Sequence, residues 1–200
     1  MYAIEVYKTQ HLGIDVSEVL RYMGVQPKDA DENLHLLAEE AVENLTSRCR
    51  GAACYLRLPV LELANGVRLG TITMEGSALK RHLHGCEEAY LFAATVGMDA
   101  ERAITAAAKL SPACAVALDA AGSAAIEAFC DDLCRQLQER SAGKLRARFS
   151  PGYGDLSVQL QGEILQLLDA HRRIGLSVTA GGMLIPTKSV TAIVGIGGEE

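Results

Sequence analysis

Two hundred residues, 49% hydrophobic and 22% charged, have the size and proportions of one globular domain, which excludes disorder as the main state. Nineteen Lys and Arg against 25 Asp and Glu leave a formal charge of -6, a poor balance for gripping nucleic acid through counterion release. No apolar run approaches the ~20 residues that cross a bilayer, and Met1-Tyr2-Ala3-Ile4-Glu5 lacks a basic-then-apolar export signal. The expectation is a cytoplasmic chain without nucleic acid or membrane as partner, its six cysteines reduced.

In chain order, Tyr2, Ile4 and Val6 alternate and predict a short first strand. Asp15-Val16-Ser17-Glu18 has the form of a capping box, and the helix it opens should stop at Gly24. A second helix is expected from about Asp31 to Cys49. From Ala53 to Met74 the pattern changes to strands, with Asn65-Gly66 as the tight hairpin pair. Ser77 should cap a short helix ending at Leu83, and Tyr90 to Val96 reads as a buried strand closed by Gly97. A helix from Asp99 to Leu110 leads to Ser111-Pro112, an N-cap followed by Pro at the first helical position, and a long helix to about Glu139. Lys144 to Phe149 alternates strictly and predicts a strand with one charged face. Ser150 to Asp155 is a turn, a helix runs from about Ser157 to Ala170, and Val190 to Ile196 is β-rich. The sum is an α+β fold, a mostly antiparallel sheet with segregated helices, in a single domain over 1–200.

Most chemistry-bearing residues have plain readings. His82, His84 and Cys86 lack a fourth ligand at a recognisable interval, so surface histidines are the better reading and no metal site is expected. Cys130 and Cys134 share a helix face, which fits packing by small residues. Gly195-Ile196-Gly197-Gly198 has no following helix to hold a phosphate. Arg172 and Arg173 sit well at a helix C-terminus. No Ser-His-Asp set, paired catalytic carboxylates or activated Cys is present, so no catalytic residue is assigned. What remains is Arg148, Phe149, Ser150, Pro151, Gly152 and Tyr153: a cation, a stiff turn with free amides and an aromatic face within a short distance. Such a set suits a small ligand with a carboxylate and a flat ring.

Arg148-x-x-x-Gly152-Tyr153 resembles the Arg-x-x-x-Gly-Tyr motif of the activation domain of cobalamin-dependent methionine synthase, which binds S-adenosylmethionine. Glu127-Ala128-Phe129 looks like the helix that supplies an acidic ligand contact in that family. The tail from Gly175 to Gly195 is similar to short, stand-alone relatives of the domain. The likeness covers residues 86–200 well and 1–85 loosely, where Leu20-Arg21-Tyr22-Met23-Gly24 is the familiar piece. Asp15 and Glu18 are candidates for a further acidic contact.

The resemblance implies the methionine synthase activation-domain fold. It implies S-adenosylmethionine as cofactor, with Glu127, Arg148, Ser150, Pro151, Gly152 and Tyr153 as binding residues. Arg148 would pair with the ligand carboxylate, Glu127 with its α-ammonium, and the turn amides with Tyr153 would hold the adenosine part. The implied role is reductive reactivation, by remethylation, of Co(II) cobalamin in a separate methionine synthase that lacks its own activation domain. Flavodoxin or ferredoxin would donate the electron, the chain would act as the activation component of that methyltransferase, and cobalamin would enter only through the partner. A local basic patch of Arg146, Arg148, Arg172 and Arg173 would have to steer such partners. Two alternatives stay open: an S-adenosylmethionine-sensing or docking module for another corrinoid methyltransferase without methyl transfer, and an unrelated structural or oligomerisation domain.

Overall fold

The computed structural model describes residues 3–197. Six strands form one sheet: β1 (Glu5–Thr9), β2 (Gly51–Leu63), β3 (Gly66–Leu69), β4 (Ile72–Glu75), β5 (Glu88–Thr95) and β8 (Ser189–Ile196), in the order β4-β3-β2-β5-β8 with β1 beside the first half of β2. Every pairing in it is antiparallel. A two-stranded hairpin, β6 (Ser177–Val178) and β7 (Leu184–Ile185), stands apart from it. The α+β architecture with a mostly antiparallel sheet is therefore as the sequence predicts.

Alternation along the strands sorts the core into two layers. Ala53, Tyr55, Phe92, Ala94, Ala192 and Val194 face one side, where α1 (Val16–Tyr22), α2 (Glu32–Arg48), α4 (Met98–Ala108) and α5 (Pro112–Glu139) pack. Cys54, Leu56, Leu58, Leu91, Ala93 and Ile193 face the other, under α3 (Ser77–His82), α6 (Leu160–Leu167) and α7 (Ala170–Ile174). Each buried Leu or Phe contributes about 1.5–3 kcal/mol relative to exposure, so both layers hold the sheet.

Helix α5 is the long element that carries the site. Ser111 Oγ accepts from Cys114 N–H at its start, and Pro112 occupies the first helical position. Its inner face is small, with Ala117, Ala120, Ala121, Ala124 and Ala125 buried, so it lies close to its neighbours. By length and composition this helix is apolar enough to cross a membrane, contrary to the expectation from the sequence. More than half of its most apolar stretch is buried inside the fold, as in a core helix.

Several local expectations need correction. The first strand runs Glu5–Thr9, so Ile4 precedes it; Tyr2 lies outside the described residues. Leu63 pairs with Gly66, so the hairpin loop is Ala64-Asn65 and Gly66 opens the next strand. A Cβ at Gly66 would meet the Met74 carbonyl oxygen at 2.1 Å, which is the physical reason for glycine there. The helix expected over 157–170 is two short helices, broken where Asp169 adopts φ 48°. Lys144 to Phe149 does not form a regular strand. Only Leu145 and Phe149 make bridges, to Ile196 and Ile193, so four steps on one side face three on the other. The extra residue is a bulge, and a bulge defeats strict alternation.

Candidate functional site

The irregular segment 145–149 lies along the outer edge of β8. Arg146 N–H donates to Gly195 O (2.9 Å), Phe149 N–H to Ile193 O (2.9 Å), and Ile193 N–H to Phe149 O (2.8 Å). These bonds fix the backbone from which Arg148 reaches α5. There Nη2 donates to Glu127 Oε2 at 2.6 Å and Nη1 to Asp131 Oδ1 at 2.6 Å. Glu127 and Asp131 are four apart on α5 and so share a face. The guanidinium is largely covered (22% exposed), whereas Glu127 remains 45% and Asp131 69% exposed. Burial alone would weaken the charge on Arg148, but its acidic and thiol neighbours outweigh it and its pKa is raised.

Above this pair opens a cleft of about 590 Å³ lined by Glu127, Asp131, Arg148, Ser150, Pro151 and Tyr153, with Cys134 on α5, Gln161 on α6, Leu184 on β7 and Ser189 to Thr191 on β8 completing the walls. Five of the six residues singled out from sequence thus line one cleft. Gly152 does not. It supplies φ 97° in the turn, a conformation that favours glycine.

The turn is locked from within and from outside. Gly152 N–H donates to Leu156 O (2.8 Å) and Tyr153 N–H to Ser150 O (3.1 Å), so amides expected to be free are taken up by the turn itself. Pro151 has no N–H. Asp155 then reaches α3: its carboxylate accepts from Ser77 N–H (2.7 Å), Ala78 N–H (3.0 Å) and Ser77 Oγ (2.9 Å). Those bonds pull its pKa down to about 2, the Ala78 amide contributing most. The cap of α3 is therefore Asp155 from 77 or more residues away, not Ser77 itself, which is the first helical residue. Gly76 and Gly154 let the two segments meet; a Cβ at Gly154 would lie 2.8 Å from that of Ala78.

The aromatic side of the cleft is a short row. The Tyr153 ring, 63% exposed, meets Phe149 edge-on at 6.2 Å, and Phe149 leans on His82 at 5.1 Å. His82 Nε2 is 2.8 Å from Ala147 O, so this histidine braces the segment below Arg148. His84 instead pairs with Glu62 at 3.1 Å. Among the described residues no group of three His, Cys, Asp or Glu is placed to hold a metal ion.

Arg146 and Arg148 are not an open basic patch. Arg146 donates to the carbonyls of His82 and His84 at the end of α3 (2.5 and 2.9 Å), and Arg148 is held by two acids. Arg172 and Arg173 lie on α7. Of the two further acidic candidates, Asp15 caps α1 and Glu18 pairs with Arg21; neither lines the cleft. Tyr22, at the end of α1, lies within electrostatic reach of Glu127 and Arg148, and burial, then Glu127, raises its pKa.

Sequence reasoning missed several lining residues, among them Asp131, Cys134, Gln161 and Thr191. Asp131 stands one turn beyond Glu127, which a search for partners of Arg148 along the helix face would have found. Cys134 follows on the same face. Its thiol is pushed up by burial against a smaller opposing pull from Arg148, and Cys130 is pushed up to about 12 by burial. Gln161 and Thr191 belong to elements brought in by tertiary structure and carry no local signal. Each has a shielded side-chain oxygen, Gln161 Oε1 and Thr191 Oγ1, that makes no hydrogen bond.

No protein-family model matches this sequence, and no curated protein matches it either. A solved structure does: the MetH reactivation domain bound to AdoHcy, at TM-score 0.74 over 99% of this chain and 79% of that one, with 12% sequence identity. The chain shares the fold of that domain.

Proposed function

We propose that the cleft binds S-adenosylmethionine and that the protein serves reductive remethylation of cobalamin held by a separate methionine synthase. The observation that carries this reading is the bridge from Arg148 to Glu127 and Asp131, opening onto a cleft of about 590 Å³, within the ~300–1,000 Å³ usual for small-molecule sites. An α-amino acid end presents a carboxylate and an ammonium side by side. Arg148 answers the first and the α5 acids the second, each as a charge-assisted hydrogen bond. The shared fold with a domain whose solved structure holds AdoHcy supports the same assignment.

Glu127, Arg148, Ser150, Pro151 and Tyr153 bind, and Gly152 shapes the turn that presents Tyr153. Bound S-adenosylmethionine supplies a methyl group already activated on a sulfonium. The chain's own residues make and break no bond: they hold the ligand within the cleft and leave its sulfonium methyl towards the open side. Fixing the approach of two reactants in this way can contribute ~7–11 kcal/mol to a transfer. The partner is a cobalamin-bearing methionine synthase without an activation domain, and flavodoxin or ferredoxin brings the electron.

The test mixes the protein with Co(II) methionine synthase, reductant and methyl-labelled S-adenosylmethionine. Labelled methylcobalamin is the expected product, and it should vanish with Arg148→Ala while the variant keeps its circular dichroism. Binding without label transfer would move the protein to the sensing or docking role. Absence of binding, alone and with the corrinoid partner, would remove the reading altogether.

A further inference from the structure

The ladder between β5 and β8 leaves the main chain of one cleft-wall residue unpaired. Val96 N–H donates to Lys188 O (3.2 Å), so the even-numbered residues of β8 exchange their bonds with β5. The odd-numbered ones face outward, as the bonds from Arg146 to Gly195 and between Phe149 and Ile193 confirm. Thr191 is the next odd position. The segment that covers this edge turns away at Ser150-Pro151, just after the Phe149–Ile193 exchange. On the other side Ser189 N–H is already engaged by Thr187 O (2.9 Å). Among the described residues no hydrogen bond takes up the Thr191 N–H or C=O.

Two further groups at the same place lack partners. Thr191 as a whole, main chain included, is 2% exposed and its Oγ1 is unbonded, and Gln161 Oε1, also in the cleft wall, is shielded and unbonded. Buried polar groups in folded proteins are otherwise almost all paired. A single open residue is too short for an added peptide strand, which would need several consecutive main-chain partners. It matches a flat heterocycle that carries one donor beside one acceptor.

We infer that the open edge of β8 at Thr191, together with Gln161, reads the 6-aminopurine of the ligand. The exocyclic amine donates to Thr191 C=O and Gln161 Oε1, and the neighbouring ring nitrogen accepts from Thr191 N–H. Thr191 lies two strand residues, roughly 7 Å, from the Ile193 that pairs with Phe149, the neighbour of Arg148. The amino-acid end and the base then occupy opposite ends of one cleft. The inference rests on the cleft's being an S-adenosylmethionine site, and it moves recognition of the base from the self-bonded turn to the strand edge.

Calorimetry of the unaltered protein with S-adenosylhomocysteine and S-inosylhomocysteine tests it, because the 6-oxo base turns the donor into an acceptor facing Thr191 C=O. The inosyl analogue should bind weaker by on the order of 100-fold, and Gln161→Met should weaken the adenosyl ligand and narrow the ratio. Equal affinity for the two ligands overturns the strand-edge assignment while leaving the amino-acid end intact. Failure of both to bind overturns the proposed function and this inference with it.

Discussion

At Arg148 one guanidinium satisfies two carboxylates on a single helix face, with its planar fork splitting between Nη1 and Nη2. Lysine offers a compact point charge without the planar fork that reaches the two acids from separate nitrogens. Arg148→Lys should therefore weaken S-adenosylmethionine binding by at least ~10-fold while changing stability by less than ~1 kcal/mol, since ion pairs to such exposed acids are worth little. Titration calorimetry beside thermal unfolding separates the two effects; a variant that binds normally would end the role of the fork. Arg148, Glu127 and the turn were legible in the sequence because they stand in short, fixed spacings. Gln161 and Thr191 were not, because only the packing of α6 under the sheet, against β4 and β5, brings them into the same wall.

At the scale of elements, the turn at 150–155 and α3 depend on each other through Asp155, whose carboxylate supplies the cap that α3 lacks within its own sequence. Its pKa is lowered from the ordinary 3.8 to about 2 by the Ala78 and Ser77 amides. A depressed carboxylate stabilises the fold above its unfolded pKa, and that contribution is lost as pH falls through the folded one. The window is therefore from about pH 4 down to about pH 2. Urea unfolding of the protein and of Asp155→Asn should differ most above pH 5 and converge towards pH 2; a gap that stays constant with pH would remove the charge from the explanation. The same elements show where pattern reading stops. The caps at Asp15 and Ser111 were visible because each bonds an amide two or three residues ahead. The cap on α3 comes from a distant turn, and the bulge at 145–149 depends on the register of β8, so neither leaves a local trace.

Across the whole molecule, the helix bearing Glu127 and Asp131 is seated on the sheet by the residue between them. Phe129 is 1% exposed, its ring stacks on Tyr7 at 5.9 Å with 7° between planes, and Gly51 at the start of β2 leaves room for it. A Cβ on Gly51 would lie 2.5 Å from Phe129 Cδ2. The ring is held between α5, β1 and β2, so it cannot yield as a flexible chain end could. Gly51→Ala should overpack this point and cost about 1–3 kcal/mol. Phe129→Leu alone should also destabilise, by lost contact and by the gap it leaves. If the close approach is the cause, the double variant recovers part of the loss, with a coupling of ~0.5–3 kcal/mol in a double-mutant cycle. Simple additivity of the two would mean that Gly51 matters for its backbone and not for the ring that seats α5.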